Sequence, residues 1–160
     1  MAEHENYVQV LVKTLQKQVE ALTSILEITK EQSQIADAPD FDEIMLEDTL
    51  NRKQILIAKL NELDDGFTSV YGRVRKEIQD KPDNYKEDIQ KMQSLIRECT
   101  DLGVEIKVLE ARNRDKLVQC FSNKQQQYGS QKTAATVASH YSQTMNNTKV
   151  VDSFFLDRKK

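Results

Sequence analysis

The chain has 160 residues, of which 31% are charged and 38% are apolar, with a net charge of −3 and only four Gly and two Pro. So few turn-forming residues argue against a sheet-rich protein, and the abundant Lys, Glu, Gln and Leu are typical of long helices. The apolar runs are too short to span a membrane, and the first six residues are acidic rather than basic. We therefore expect a cytoplasmic protein without a signal peptide.

Three segments carry the apolar periodicity of long helices. The seam of the first helix has the four-three spacing of a heptad and consists of Val8, Val12, Leu15, Val19, Leu22 and Leu26. The second helix is predicted to begin at the cap Asp40 and to end near Asp80, ahead of Pro82. Its seam consists of Leu56, Leu60, Leu63, Phe67, Val70 and Val74, which Ile44, Leu50 and Ile57 extend. The third helix is predicted to begin at Asp83, with a seam of Tyr85, Ile89, Met92, Leu95, Cys99, Leu102, Ile106 and Leu109. Asn113 then stands where the seam calls for an apolar residue.

The short turn at Pro82 makes the second and third helices antiparallel, and their register pairs Leu46 with Val118 and Phe67 with Arg97. The first helix folds back through residues 34–40, so it is predicted to cover the second only as far as about residue 70. The predicted fold is therefore all-α: three long helices in an antiparallel bundle or coiled coil over residues 1–128. A hairpin of helices two and three, residues 71–94, is expected to project without a third helix.

The tail, residues 129–160, is rich in Ser, Thr, Gln and Asn and is predicted to be largely flexible. It contains one short amphipathic stripe, which consists of Ala134, Val137, Ala138, Tyr141 and Met145. It ends in an apolar and basic motif, VVDSFFLDRKK, at residues 150–160. An aromatic pair in such a tail raises the question of what Phe154 and Phe155 contact.

The sequence offers little for catalysis or cofactor binding. It contains no glycine-rich phosphate loop, no pair of histidines at ligand spacing and no nucleophile set, so we predict no enzyme activity, no metal and no cofactor. Cys99 and Cys120 lie about 31 Å apart if they share one helix, so they are predicted to be buried thiols and not a disulfide. The basic run at residues 73–76 is balanced by nearby acids, which disfavours nucleic-acid binding. The three terminal bases after two Phe residues give only weak attraction to a membrane surface, so no stable membrane insertion is expected.

Binding of an amphipathic helix is the remaining class of function. Beyond about residue 124 the third helix outruns the start of the second, so apolar residues near this point and in the tail are candidates for client binding. They are Leu117, Phe121, Tyr128, Val137, Tyr141, Met145, Phe154 and Phe155. The alternative for the tail is that it folds back onto the bundle as a lid.

Two segments resemble the FlgN family of flagellar export chaperones of Gram-positive bacteria. They read LNRKQILIAKLNELDDGFTSVYGRVRKEI at residues 50–78 and EIKVLEARNRDKLVQCF at residues 105–121. The closing SFFLDRKK is similar to the Phe-Ile-Asp-Lys-Lys ending of such chains, from which it departs at Leu156 and Arg158. The likeness covers roughly residues 10–125 and the last eight residues, and it is one of pattern rather than of a diagnostic motif.

This resemblance implies a cytoplasmic chaperone for the C-terminal helices of the hook–filament junction proteins FlgK and FlgL. Such a chaperone prevents premature assembly of its clients and delivers them to the export gate protein FlhA. In that family the C-terminal part binds the client and an aromatic residue there docks to the gate. The candidates for its equivalent here are Tyr128 and Tyr141, and spacing alone does not choose between them. On this hypothesis Phe154 and Phe155 are either a clasp over the client helix or a plug of the same groove when no client is present.

Two alternatives stay open at the level of the sequence. FliT-type chaperones, which serve other flagellar substrates, have a similar length and helical composition. A structural coiled-coil scaffold without a client has the same periodicity, and the sequence does not decide whether the chain forms a homo-oligomer.

Overall fold

The computed structural model describes the backbone of residues 2–128 and the side chains of residues 6–124. It contains α1 (Ala2–Asp37), α2 (Glu43–Asp80), a 3-10 turn (Pro82–Tyr85) and α3 (Lys86–Tyr128). Residues 2–128 form no strand, so the all-α class and the three long helices are confirmed. None of the helices in this part of the chain is apolar over a length that could cross a membrane.

The ends of α2 follow from two local signals. Asp42 caps the helix, because its Oδ1 accepts hydrogen bonds from the backbone N–H groups of Ile44 at 3.0 Å and Met45 at 3.1 Å. The predicted cap, Asp40, lies two residues too early. α2 ends at Asp80, as the position of Pro82 predicted, and the Lys81 N–H donates to the Glu77 carbonyl at 3.0 Å.

The start of α3 differs from the prediction. Asp83 lies within the 3-10 turn, and α3 begins only at Lys86. Pro82 explains the difference, because its fixed φ and its missing N–H suit the first position of a helical turn. The turn is therefore itself helical, and it buries Tyr85 between the two long helices.

α1 is the central helix of the bundle. It runs antiparallel to α2, since Gln18 bonds to Asp64 and Glu31 to Arg52. It runs parallel to α3, since Gln9 bonds to Asp88 at 3.2 Å near one end and Asp37 pairs with Lys116 at 2.9 Å near the other. Among the described residues no Cα of α2 lies within 8 Å of a Cα of α3, so those two helices meet only through side chains.

The predicted register between α2 and α3 agrees with the structure, and the register of α1 does not. Lys53 of α2 contacts Glu110 of α3, as the predicted antiparallel pairing requires. The guanidinium of Arg73, however, lies 5.8 Å from the ring centre of Tyr7, so α1 extends past the predicted limit near residue 70. The cause is that α1 continues to Asp37, and the turn into α2 occupies residues 38–42 rather than 34–40.

This shift means that the hairpin of residues 71–94 is not bare. Val8, Leu11, Val12 and Leu15 of α1 share one buried cluster with Phe67, Val74, Ile78, Tyr85 and Met92. The length of hairpin that projects beyond α1 is therefore shorter than predicted. Two further clusters continue the core toward the connector between α1 and α2, which we define as residues 38–42.

Polar side chains interrupt the apolar core at three levels. Lys53 is fully buried and donates to Glu110 and, at 3.1 Å, to Gln32 Oε1. Gln32 Nε2 in turn donates to Thr49 Oγ1 at 3.2 Å. These contacts explain why α1 stays helical through the polar run TKEQSQ, whose apolar pattern is weak.

The other two polar levels join α1 to one neighbour each. Asn113 Nδ2 donates to the Thr29 carbonyl at 3.0 Å, and its Oδ1 accepts from Ser33 Oγ at 2.6 Å. Gln18 Nε2 donates to Asp64 Oδ1 at 2.6 Å. Because a buried polar group is costly without a partner, each level favours the observed register over a shifted one.

We predict that the buried ion pair of Lys53 and Glu110 tolerates replacement of both residues together but not of one residue alone. Glu110→Met leaves the Lys53 ammonium buried without its carboxylate and should lower the free energy of unfolding by about 3 to 5 kcal/mol. The double variant Lys53→Met with Glu110→Met removes both charges and should stay within about 2 kcal/mol of the unmodified protein. Urea unfolding followed by circular dichroism measures both values. Equal destabilisation of the single and double variants would contradict the interpretation.

Candidate functional site

The structure places two predicted client-binding residues in the core. Leu117 and Phe121 are both buried, in a cluster with Ile35, Leu46 and Leu50. Phe41 of the connector belongs to the same cluster and packs edge-on against Phe121, with ring centres 5.3 Å apart. Neither Leu117 nor Phe121 is therefore exposed to a client helix in this structure.

The physical reason is that the connector covers this end of the bundle. Phe41 precedes the first residue of α2 and packs on Phe121, so the connector and not α2 covers this part of α3. Lys124 lies over the outer face of Phe41, with its Nζ 5.5 Å from the ring centre. On the α1 side, Cys120 Sγ donates to the Ala36 carbonyl at 3.4 Å.

The other predicted binding residues lie outside the described side chains. Tyr128 is the last residue of α3, and its side chain is not among those described. The remaining candidates belong to residues 129–160, outside the described part of the chain: Val137, Tyr141, Met145, Phe154 and Phe155. Their roles in client binding and in docking to the gate stay predictions.

The core position of Phe121 leads to a stability prediction. Phe121→Ala removes a buried ring and its contact with Phe41, so it should lower the free energy of unfolding by about 3 to 5 kcal/mol. Val118, three residues earlier on α3, is 59% exposed and serves as the matched control. Val118→Ala should change stability by less than about 0.5 kcal/mol. Similar values for the two variants in urea unfolding would show that Phe121 is not buried in solution.

An exposed apolar groove lies between α1 and α2 beside the connector, and we call it the connector groove. It has a volume of about 650 Å³. Ile35 forms part of its floor and is buried, whereas Ile44 is 80% exposed and Met45 is 56% exposed. The sequence pattern placed Ile44 on the apolar face of α2, and the structure contradicts this. Two adjacent large apolar side chains in solvent are candidates for contact with another segment.

Acidic side chains surround the connector groove. Glu31, Asp40, Asp42 and Asp48 line it together with a single base, Arg52. Arg52 Nη2 donates to Glu31 at 2.6 Å and its Nε to Asp48 at 3.0 Å. The hydrogen bond to Glu31 is the main cause that raises the pKa of Arg52. Desolvation opposes it, and the charge of Glu31 and the hydrogen bond and charge of Asp48 add smaller increases. The groove therefore carries an excess of negative charge, which lies at its connector side.

A second apolar groove lies between α2 and α3 near the hairpin. It encloses about 300 Å³ and is lined by Phe67, Thr68, Tyr71, Ile78, Ile89, Met92, Gln93 and Ile96. It exists because α2 and α3 approach each other only through side chains. The ring of Tyr71 stacks on Phe67 with centres 6.0 Å apart, yet Tyr71 is 37% exposed. Ile78 and Met92, which also line this groove, are buried against α1, so Tyr71 is the most exposed aromatic side chain of its lining.

The described side chains contain no constellation for metal binding. Within residues 6–124 no three His, Cys, Asp or Glu side chains converge on a site that could hold a metal ion. Cys99 is a buried free thiol, and Cys120 is a half-buried one. Burial, with smaller contributions from Glu98 and Asp64, raises the pKa of Cys99 to about 12, so this thiol is not a nucleophile near neutral pH.

The raised pKa of Cys99 predicts a loss of stability in alkali. In the unfolded chain this thiol loses its proton near its ordinary pKa of ~8.5, whereas in the folded protein it retains the proton up to about pH 12. Its contribution is therefore complete below the unfolded pKa and is lost as the pH rises toward 12. Cys99→Ala should reduce the slope of stability between pH 9 and 11 by up to about 1.4 kcal/mol per pH unit. Urea unfolding under a phosphine reductant measures this slope.

Cys120→Ala is the control for this prediction. Burial and the charge of Asp37 also raise the pKa of Cys120, but this thiol is only half-buried. Cys120→Ala should therefore change the slope of stability against pH less than Cys99→Ala does. A larger effect of Cys120→Ala would contradict the assignment of Cys99 as the more deeply protected thiol.

Several features of these sites were not predicted from the sequence. Phe41 was not identified as a core residue, although an aromatic residue inside a polar connector is a usable signal for one. Lys53 was not identified either, but it shares the three- and four-residue spacing of Leu46, Leu50 and Ile57. The spacing of Lys53, rather than its charge, is the signal in the sequence that this residue is buried.

The chain was compared with families, with characterised proteins and with solved structures. No family model, no curated protein and no solved structure matches it. The resemblance to FlgN-type chaperones therefore stays a prediction from the sequence.

Proposed function

We propose that this protein is a flagellar export chaperone of the FlgN type, which binds the C-terminal amphipathic helices of the junction proteins FlgK and FlgL. It holds these helices in the cytoplasm until export and brings them to the gate protein FlhA. The single observation that carries the proposal is the connector groove, in which Ile44 and Met45 are exposed above the buried Ile35. The sequence resemblance supplies the identity of the clients.

The groove has the character that helix-in-groove recognition needs. An amphipathic helix places apolar side chains on one face and polar ones on the other, and it binds by burying the apolar face. Full burial of an Ile or Met side chain contributes about 1.5 to 3 kcal/mol. Ile44 and Met45 can therefore supply much of a moderate affinity, while the acidic side chains around them bind polar or basic groups of the client.

The tail follows α3 at the end of the bundle where the connector groove lies, so it can share in this binding. α3 and the connector meet at the same end of the bundle, as the contacts of Phe41 with Phe121 and of Ala36 with Cys120 indicate. Residues 129–160 continue from α3 at this end. A tail that becomes ordered on binding carries a cost of about 2 to 5 kcal/mol, which keeps the affinity moderate and release to the gate feasible. On this proposal Tyr128 or Tyr141 contacts FlhA.

The test is binding of a peptide that spans the C-terminal helix of FlgK, measured by isothermal titration calorimetry with the full-length chain. Replacing both Ile44 and Met45 by Ser should weaken binding about tenfold or more, since loss of ~1.4 kcal/mol is a factor of ten. Ile55 lies on the same helix, does not line the groove and is 71% exposed, so Ile55→Ser is the matched control. The control should bind as the unmodified chain does.

Two outcomes would contradict the proposal. Equal binding by the double variant and the control would exclude the connector groove as the client site. No binding of FlgK or FlgL peptides by the unmodified chain, together with a stable higher oligomer in light scattering, would favour the scaffold alternative.

A further inference from the structure

We propose that the connector groove is also a docking site for residues 150–160 of this same chain. Two roles were considered for Phe154 and Phe155, a clasp over a client and a plug of the empty groove. This proposal is the plug, and the connector groove is the surface on which it docks. The proposal concerns an intramolecular contact, and it does not depend on whether FlgK or FlgL is the client.

The first support is the match of apolar surface. The segment places Val150, Val151, Phe154, Phe155 and Leu156 within seven residues. The groove offers Ile44 and Met45, which are the most exposed neighbouring apolar pair in the described part of the chain. Eleven residues span about 16 Å as a helix, which equals about three turns of α2. The segment is thus long enough to cover the groove-lining part of α2 from Ile44 to Arg52.

The second support is complementary charge. The segment closes on Arg158, Lys159 and Lys160, and the chain from residue 128 onward holds five bases and two acids. The groove is lined by four acids and one base. Arg52 binds Glu31 and Asp48, so Asp40 and the cap Asp42 are the carboxylates of the lining that do not contact this base. Opposite charges of this kind favour the encounter and set the orientation of the docked segment.

The third support is reach. α3 ends at Tyr128 at the connector end, and residues 129–149 separate it from the segment. A chain of that length spans at most about 70 Å when it is fully extended. The groove begins at the connector, where Lys124 already contacts Phe41. The tether is therefore long enough to reach the groove, and docking within one chain needs no second molecule.

The experiment is disulfide trapping in the full-length chain. Gln34 lines the groove and is exposed, so Gln34→Cys with Ser153→Cys places one thiol in the groove and one beside the aromatic pair. Cys120→Ser removes the half-buried thiol from the background, and Cys99 is buried and holds its proton at neutral pH. With oxidised glutathione as oxidant, the rate of the intrachain disulfide is read by mass spectrometry and non-reducing electrophoresis.

The matched control is Val118→Cys with Ser153→Cys in the same background. Val118 is 59% exposed at the same end of the bundle but does not line the groove. An undirected tail can also reach this position, because Val118 lies on α3 ten residues before its end. Docking predicts that the Gln34 pair closes about tenfold faster or more, which corresponds to a preference of ~1.4 kcal/mol. Phe154→Ser with Phe155→Ser should abolish the difference, and 1 M salt should reduce it.

Equal rates for the two pairs would overturn the proposal, and so would a rate difference that persists after both Phe residues are replaced. A disulfide that forms only between chains would assign the groove to the tail of a second copy and would also overturn it. These readings use no client peptide. A failure here is therefore separate from a failure of the chaperone proposal, and each can occur alone.

Discussion

The buried contact between Lys53 and Glu110 is the constraint on which the rest of the bundle depends. Desolvation lowers the pKa of Lys53 and the charge of Glu110 opposes that effect, so the ammonium is favoured only where its carboxylate lies level with it. This fixes α2 against α3, and the bond from Lys53 to Gln32 fixes α1 against both. Long helices with heptad seams can slide by one repeat at little apolar cost, but a slide here leaves a buried charge unpaired.

The position of α1 explains why the two grooves exist. α1 packs along both neighbours, so α2 and α3 lie too far apart for backbone contact, and a groove between them leaves Tyr71 exposed and Ile89 and Ile96 half-buried. At the other end α1 stops at Asp37, and Asp42 fixes the first turn of α2. Leu46 is the first residue of α2 to enter the core, which leaves Ile44 and Met45 outside it.

The sequence predicted the class, the end of α2 and the pairing of α2 with α3, because Pro82 and the short turn determine these without side-chain detail. The seams were predicted less well. The observed core of α2 passes through Lys53 and Asp64, and that of α3 through Glu110 and Asn113. A search for apolar residues alone selected Leu56, Leu63 and Val70, which are half-buried at the flank of α2.

The same limitation affected the connector. The length of α1 depends on buried polar residues such as Thr29 and Gln32, and these look like a surface in the sequence. The exposure of Ile44 and the burial of Phe121 follow from where the connector lies, which periodicity does not encode.

The position of the connector also determines how charge and apolar contact contribute to binding in the connector groove. Arg52 binds Glu31 and Asp48, and Asp42 also caps α2, so the excess negative charge of the groove comes from Asp40 and Asp42. Apolar contact with Ile44 and Met45 must then supply most of the binding energy, and at physiological salt the charges mainly set orientation. On the two proposals above, a client helix and the chain's own terminal residues therefore compete for the same groove, and their concentrations decide which of them binds.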